Sequence, residues 1–286
     1  MHTLDYITIV LLLAGIFVAG SLFFGSGHNL RNFFAGGGNI PWWIGGLSLF
    51  MSFFSAGTFV VWGSIAYTEG WTAVTIQWMM GAGGIIAGLL IAPRWNRTGC
   101  LTGAEYITRR FGVRVQKFYT GLFLAISLFS TGTFLYSIAR IVETAVGISF
   151  TTSILILGLL CILYVAIGGF RAVVVTDVLQ FLILTAAVVI VLPLAFDRIG
   201  GAGTFLRQAP EGFFRPAAGE YTWGFMLASL LCNVSSLGGN WAFVQRYTSV
   251  STPADARKTG LLFGALYLVC PVVWMLPPML FRLHEP

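Results

Sequence analysis

Eight stretches of mostly apolar residues run through this chain, at 6–24, 42–67, 72–91, 118–146, 152–167, 175–196, 223–244 and 261–281. A helix rises about 1.5 Å per residue, so about twenty apolar residues cross the hydrocarbon core of a bilayer. Only 9% of the 286 residues are charged and 57% are hydrophobic. A soluble domain carries about 25% charged residues to cover its surface. The chain therefore reads as an all-α, polytopic membrane protein surrounded by membrane lipid. A soluble enzyme, a disordered chain and a nucleic-acid binder are excluded. The net charge of +6 acts on topology instead.

Cys100, Cys161, Cys232 and Cys270 lie far apart with no CxxC pair, and read as buried thiols. His2, His28 and His284 stand outside the apolar runs. No histidine cluster for a metal and no Ser–His relay is present, so an enzyme is not expected. The first run follows Asp5 with no Lys or Arg ahead of it, which favours a retained helix over a cleaved leader. Eight spans put both termini on one side. With the N-terminus outside, eleven basic residues fall in inner loops: Arg31, six from Arg94 to Lys117, Arg171, Arg246, Arg257 and Lys258. Five fall outside: Arg140, Arg198, Arg207, Arg215 and Arg282. That asymmetry orients the N-terminus outward. The Arg-rich stretch 92–117 reads either as an interfacial amphipathic helix, with Tyr106, Ile107 and Phe111 apolar, or as a solvated loop.

Two runs are unusually polar at mid-depth. Ser48, Ser52 and Ser55 share one helical face in the second run. Ser229, Asn233, Ser236 and Asn240 form a stripe in the seventh, beside Gly238-Gly239. Such residues serve either helix packing or helices that unwind around a cavity or ion. The two runs lie five apart, the spacing of a five-helix inverted repeat preceded by one extra helix. Paired interruptions of that kind point to a transport site. Gly84 and Gly88 make a GxxxG packing pair. Arg140 either meets a carboxylate substrate or outer gate, or pairs with Glu143. Asp177 either caps the start of the sixth run or marks a cation path.

Gly168-Gly169-Phe170-Arg171 through Thr176-Asp177-Val178-Leu179-Gln180 resembles the signature of the sodium:solute symporter family. Phe34-Ala35-Gly36-Gly37-Gly38, Pro41-Trp42-Trp43, Leu47-Ser48-Leu49 and Ser55-Ala56 resemble the family's approach to its first core helix. Glu105-Tyr106 with Arg109-Arg110-Phe111-Gly112, and Gln245-Arg246-Tyr247 with Asp255-Ala256-Arg257, resemble later family segments in the same order. The resemblance implies a five-plus-five inverted-repeat bundle with one extra N-terminal helix. It divides the chain into an extra helix (1–30), a first repeat (31–200) and an incomplete second repeat (201–286), truncated after eight spans. It also implies a place in a bacterial inner or plasma membrane, and inward sodium movement coupled to uptake of a small organic solute.

By position, the carbonyls of Met51 and Phe54 and the side chain of Asp177 fall on the family's sodium path. Ser52, Ser55, Thr58, Gln77, Asn240 and Trp241 fall at or beside substrate-facing positions. Three departures stand out. Gln77 replaces an acid found in sugar carriers. Ala242 stands where some members place an aromatic gate, a part that Trp241 or Phe243 can take. In the family, a serine or threonine pair on the eighth core helix completes the sodium site. Counting one extra helix, this chain ends after the seventh, so it is either a fragment or unable to make the usual sodium site alone. Two other readings fit the same residues: the transporter-like membrane domain of a sensor, and an inactive fragment of a symporter.

Overall fold

The computed structural model describes residues 30–55 and 58–284, with isolated positions before residue 30. The expected first span, 6–24, therefore lies outside the described residues. Among the described residues the chain is helical, with no strand and one isolated bridge between Ile40 and Val250. A short helix α1 (Leu30–Ala35) leads through Gly36–Gly38 into α2 (Trp42–Met51). After an interruption, a π-turn at Thr58–Trp62 opens α3 (Gly63–Glu69). Then come α4 (Thr72–Leu90), α5 (Ala92–Thr98), α6 (Gly103–Phe111), α7 (Val113–Val146) and α8 (Phe150–Arg198). They are followed by α9 (Ala202–Gln208), α10 (Trp223–Gly239), α11 (Trp241–Thr248), α12 (Pro253–Trp274) and α13 (Leu276–His284).

Helix boundaries follow local chemistry. Thr102 Oγ1 accepts from Glu105 N at 3.1 Å, and Glu105 Oε2 accepts from Leu101 N at 2.8 Å, closing a capping box at the start of α6. Thr222 and Thr252 cap α10 and α12 by accepting from Phe225 N and Asp255 N. Left-handed Gly99 and Gly147 stop α5 and α7. The stretch 92–117 is thus helical. Glu105 and Arg109 pair along α6, Phe111 is exposed, and Tyr106 packs on Trp95 at 4.6 Å rather than standing free.

The fifth and sixth runs form a hairpin around Gly169, whose φ of 58° and ψ of −163° suit only glycine. Tyr164 Oη meets Thr176 Oγ1 across it. In a straight helix those residues would stand about 18 Å apart, so the two arms must fold back on each other. The outgoing arm starts near Gly168, not at residue 175. Asp177 therefore sits inside a helix and does not cap one.

Helix α12 is the hub. It meets α4 along a glycine seam: a Cβ at Gly88 would lie 2.9 Å from Gly260 Cα, and one at Gly264 would lie 2.8 Å from Gly81 O. Small residues let two bilayer helices approach this closely, as the Gly84/Gly88 spacing predicts. On its other side α12 packs on α2, where Gly45 faces Thr259. An aromatic cluster fills the centre, with Phe50 4.8 Å from Tyr267 and Phe54 4.3 Å from Trp274. By contrast α7 and the first arm of α8 show large apolar side chains outward, Phe129 at 81% and Ile162 at 68% exposure. Such a surface suits lipid and not water. At one end of the bundle the segment after α8 seals α4: Trp71 N donates to Phe213 O at 2.8 Å and Thr72 Oγ1 to Arg215 O at 3.1 Å.

Candidate functional site

The second and seventh runs are both interrupted. In the first, α2 ends at Met51 and residues 52–55 leave the helix. The chain turns there through local bonds. Phe54 N donates to Met51 O at 2.9 Å and Phe53 N to Phe50 O at 3.2 Å. Ser55 N donates to Thr58 Oγ1 at 3.0 Å, and that hydroxyl donates to Phe53 O at 2.9 Å. Thr58 is buried and stitches the interruption together. Ser52 Oγ turns back to Ser48 O at 2.7 Å.

The second interruption is a single residue. Asn240 has φ −77° and ψ 122° between α10 and α11, and its Oδ1 accepts from Ala242 N at 3.0 Å. An asparagine N-cap contributes about 1 kcal/mol to a helix start, so the second half of this broken helix has its own nucleus. The stripe upstream bonds within α10: Asn233 Nδ2 donates to Ser229 O at 2.8 Å. Trp241 turns aside, to Trp95 at 6.1 Å and to the backbone at Gly103.

The two interruptions meet through rings. Phe53 stacks on Phe243 with centroids 4.3 Å apart and planes 16° apart. Phe243, in the first turn of α11, thus joins the first break to the helix that starts at the second. Gln77 lies in the second turn of α4, 3% exposed, and its Nε2 has no hydrogen-bond partner among the described residues.

Three elements share one polar cluster. Ser48 Oγ on α2 donates to Asp177 Oδ2 on α8 at 2.5 Å. Arg246 on α11 donates from Nε to Ser48 Oγ at 3.2 Å and holds Nη2 3.7 Å from Asp177 Oδ2. Both charged side chains are largely buried, at 9% and 15% exposure. Arg246 also donates to Ala242 O and lies over the Phe170 ring at 5.3 Å. Around this cluster Ile40 N donates to Ser249 O at 3.0 Å, and Arg171 Nη2 to Asn39 Oδ1 at 3.1 Å. α2 and α11, one half of each broken helix, are therefore tied to each other and to the α8 hairpin.

Sequence reasoning had not paired Arg246 or Ser48 with Asp177. The available signal was an arginine ending an apolar run, since such a charge needs a buried partner. Arg140 takes its local option, pairing with Glu143 at 2.7 Å and stacking on Phe150 at 4.5 Å. Ser55, Thr58 and the Met51 and Phe54 carbonyls lie together in the first interruption, and Asn240 forms the second.

A bundle of helices with an apolar exterior and two helices interrupted beside a buried ion pair defines an integral membrane protein of the broken-helix kind. The sodium:solute symporter family profile matches residues 33–213, and the chain belongs to that family. It is 25% identical over 95% of its length to the sodium/sialic acid symporter of Proteus mirabilis, spanning 57% of that protein. It is 29% identical over 88% of its length to the sodium/glucose cotransporter of Vibrio parahaemolyticus, spanning 50% of it. Against the human sodium/iodide cotransporter the figures are 30%, 83% and 38%. The chain thus spans about half the length of the curated relatives it matches. A solved structure of a Na+-coupled sialic acid symporter, in a substrate-bound outward-open state, shares the fold with a TM-score of 0.88. Its identity to the chain is 23%, and the match covers 99% of this chain and 62% of that one.

Proposed function

We propose that this protein is a secondary active transporter that couples inward sodium movement to uptake of a small organic solute by alternating access. The observation that carries the reading is the meeting of two interrupted helices, Phe53 against Phe243, together with the buried charge cluster that their halves α2 and α11 share with α8. Non-helical backbone at bilayer depth is tolerated where it lines a cavity or binds an ion. Family membership and named sodium-coupled relatives support the same reading.

In this reading the chain supplies an extra first helix, the first repeat of an inverted pair (31–200) and the start of the second (201–286). Sodium, a hard cation, takes oxygen ligands; the Met51 and Phe54 carbonyls offer these, with Asp177 as the next stop inward. Each sodium ion entering gains about 2.3 kcal/mol per 100 mV of membrane potential. Ser52, Ser55, Thr58, Gln77, Asn240 and Trp241 face or flank the solute. Their hydroxyl and amide groups suit a polar organic molecule. The orientation is N-terminus out, supported by the eleven-to-five split of basic residues.

The test is uptake by the complete protein in proteoliposomes, with panels of labelled sugars, sugar acids and amino acids. Each is measured in sodium and in choline chloride. One panel member should enter only with sodium, and Ser55→Ala and Asp177→Ala should each weaken that dependence. Uptake indifferent to sodium across the panels would reject the reading.

A further inference from the structure

We propose that Arg246 is an internal stand-in for the transported cation: its guanidinium occupies Asp177 while the inner side is closed and must leave when sodium arrives there. This rests on the sodium-coupled reading above. The carboxylate of Asp177 already holds a donor from Ser48 at 2.5 Å and a positive charge at 3.7 Å. With its guanidinium in place the pair is neutral. A sodium ion added there would face an uncompensated like charge in a buried setting, so only one cation can hold Asp177 at a time. A lysine could yield by losing its proton; an arginine keeps its charge in proteins, so Arg246 can yield only by moving.

The structure gives it somewhere to go. Arg246 lines a cavity of about 440 Å³, shared with Phe34, Phe170, Trp241 and Gln245. The Phe170 ring already sits 5.3 Å from the guanidinium, a face that attracts a cation. The swap would also have a mechanical result. Arg246 bridges α11 to α2 through Ser48 and to α8 through Asp177. When sodium takes Asp177, the inner halves of both broken helices lose a shared tie. Arrival of the ion and loosening of the inner side become one event.

The test uses sodium alone as the probe. Half-saturating sodium is read from the thermal shift of the purified complete protein, with choline as control. Solute-free leak of radioactive sodium is read in proteoliposomes. Arg246→Gln should lower half-saturating sodium at least about fivefold, the usual scale of coupling between sites, and should raise the leak. Arg246→Lys should fall between. The double variant Asp177→Asn/Arg246→Gln, which leaves no lone buried charge, should fold and lose the inner-site response. A purely structural arginine would give weaker sodium binding on removal, not tighter. Unchanged or raised half-saturation in Arg246→Gln, without leak, overturns the proposal. If that variant does not fold, unchanged half-saturation in Arg246→Lys with a retained response in the double variant does so. Absence of any sodium shift in the unaltered protein rejects the symport reading, and the swap falls with it.

Discussion

Single side chains divide into those that hold the interruptions and those left unsatisfied. Thr58 belongs to the first group, accepting from Ser55 N and donating to Phe53 O. Thr58→Val keeps the shape but strands both backbone groups, so a loss of about 1–3 kcal/mol is expected. Thermal unfolding in detergent measures it. Gln77 belongs to the second, since its buried Nε2 has no partner among the described residues. Replacing an unsatisfied amide by an apolar group of similar size costs little stability. Gln77→Leu should leave the melting temperature nearly unchanged while weakening binding of the transported solute about tenfold or more. Equal losses of stability and binding would place Gln77 in the packing instead. Composition and spacing revealed the polar residues but not their partners. Ser48 and Ser52 share a face in sequence, yet Ser52 bonds its own helix four residues back. That acceptor is always near a serine in a helix. Ser48 instead reaches Asp177, a residue 129 positions away that only tertiary folding brings close.

Among elements, the interruptions were legible because their causes are local: small and polar residues weaken a helix, and Asn240 caps the next one. The glycine seam was legible for the same reason. The start of the outgoing arm of α8 was not, because apolar continuity hides a helix that begins at a glycine hairpin. Gly169 tests that hairpin. With φ 58° and ψ −163° and Phe33 backbone 3.3 Å from a Cβ placed there, Gly169→Ala should cost at least about 1–3 kcal/mol. Two further glycines make a matched pair. Gly88→Ala drives a methyl into Gly260 and should lower stability by about 1–3 kcal/mol. Gly121→Ala on α7 meets nothing within 4 Å and should be neutral or stabilise by up to about 1 kcal/mol. Unfolding curves of the two variants side by side decide it.

For the molecule as a whole, charge and ends agree. The basic-rich segments, α5, α6, the α8 hairpin and the end of α11, gather at one end of the bundle with α1. The segment after α8 closes the other. Cys161 and Cys232 are exposed rather than buried as expected, and Cys270 is half-buried. Cysteines placed one at a time at Thr108 and Ala218, in a background lacking those three, should therefore react with a membrane-impermeant maleimide from opposite sides. Thr108→Cys should be reached from the cytoplasm; the reverse pattern would invert the orientation. The seam between α4 and α12 then bears on motion. Backbone contact at Gly88 with Gly260 and at Gly81 with Gly264, with Phe263 seated against Gly84, locks the two helices together, so the pair behaves as a single beam. A beam cannot flex along its length. Any opening has to be taken up where the chain has already given up its helical bonds, which turns residues 52–55 and Asn240 from gaps into pivots.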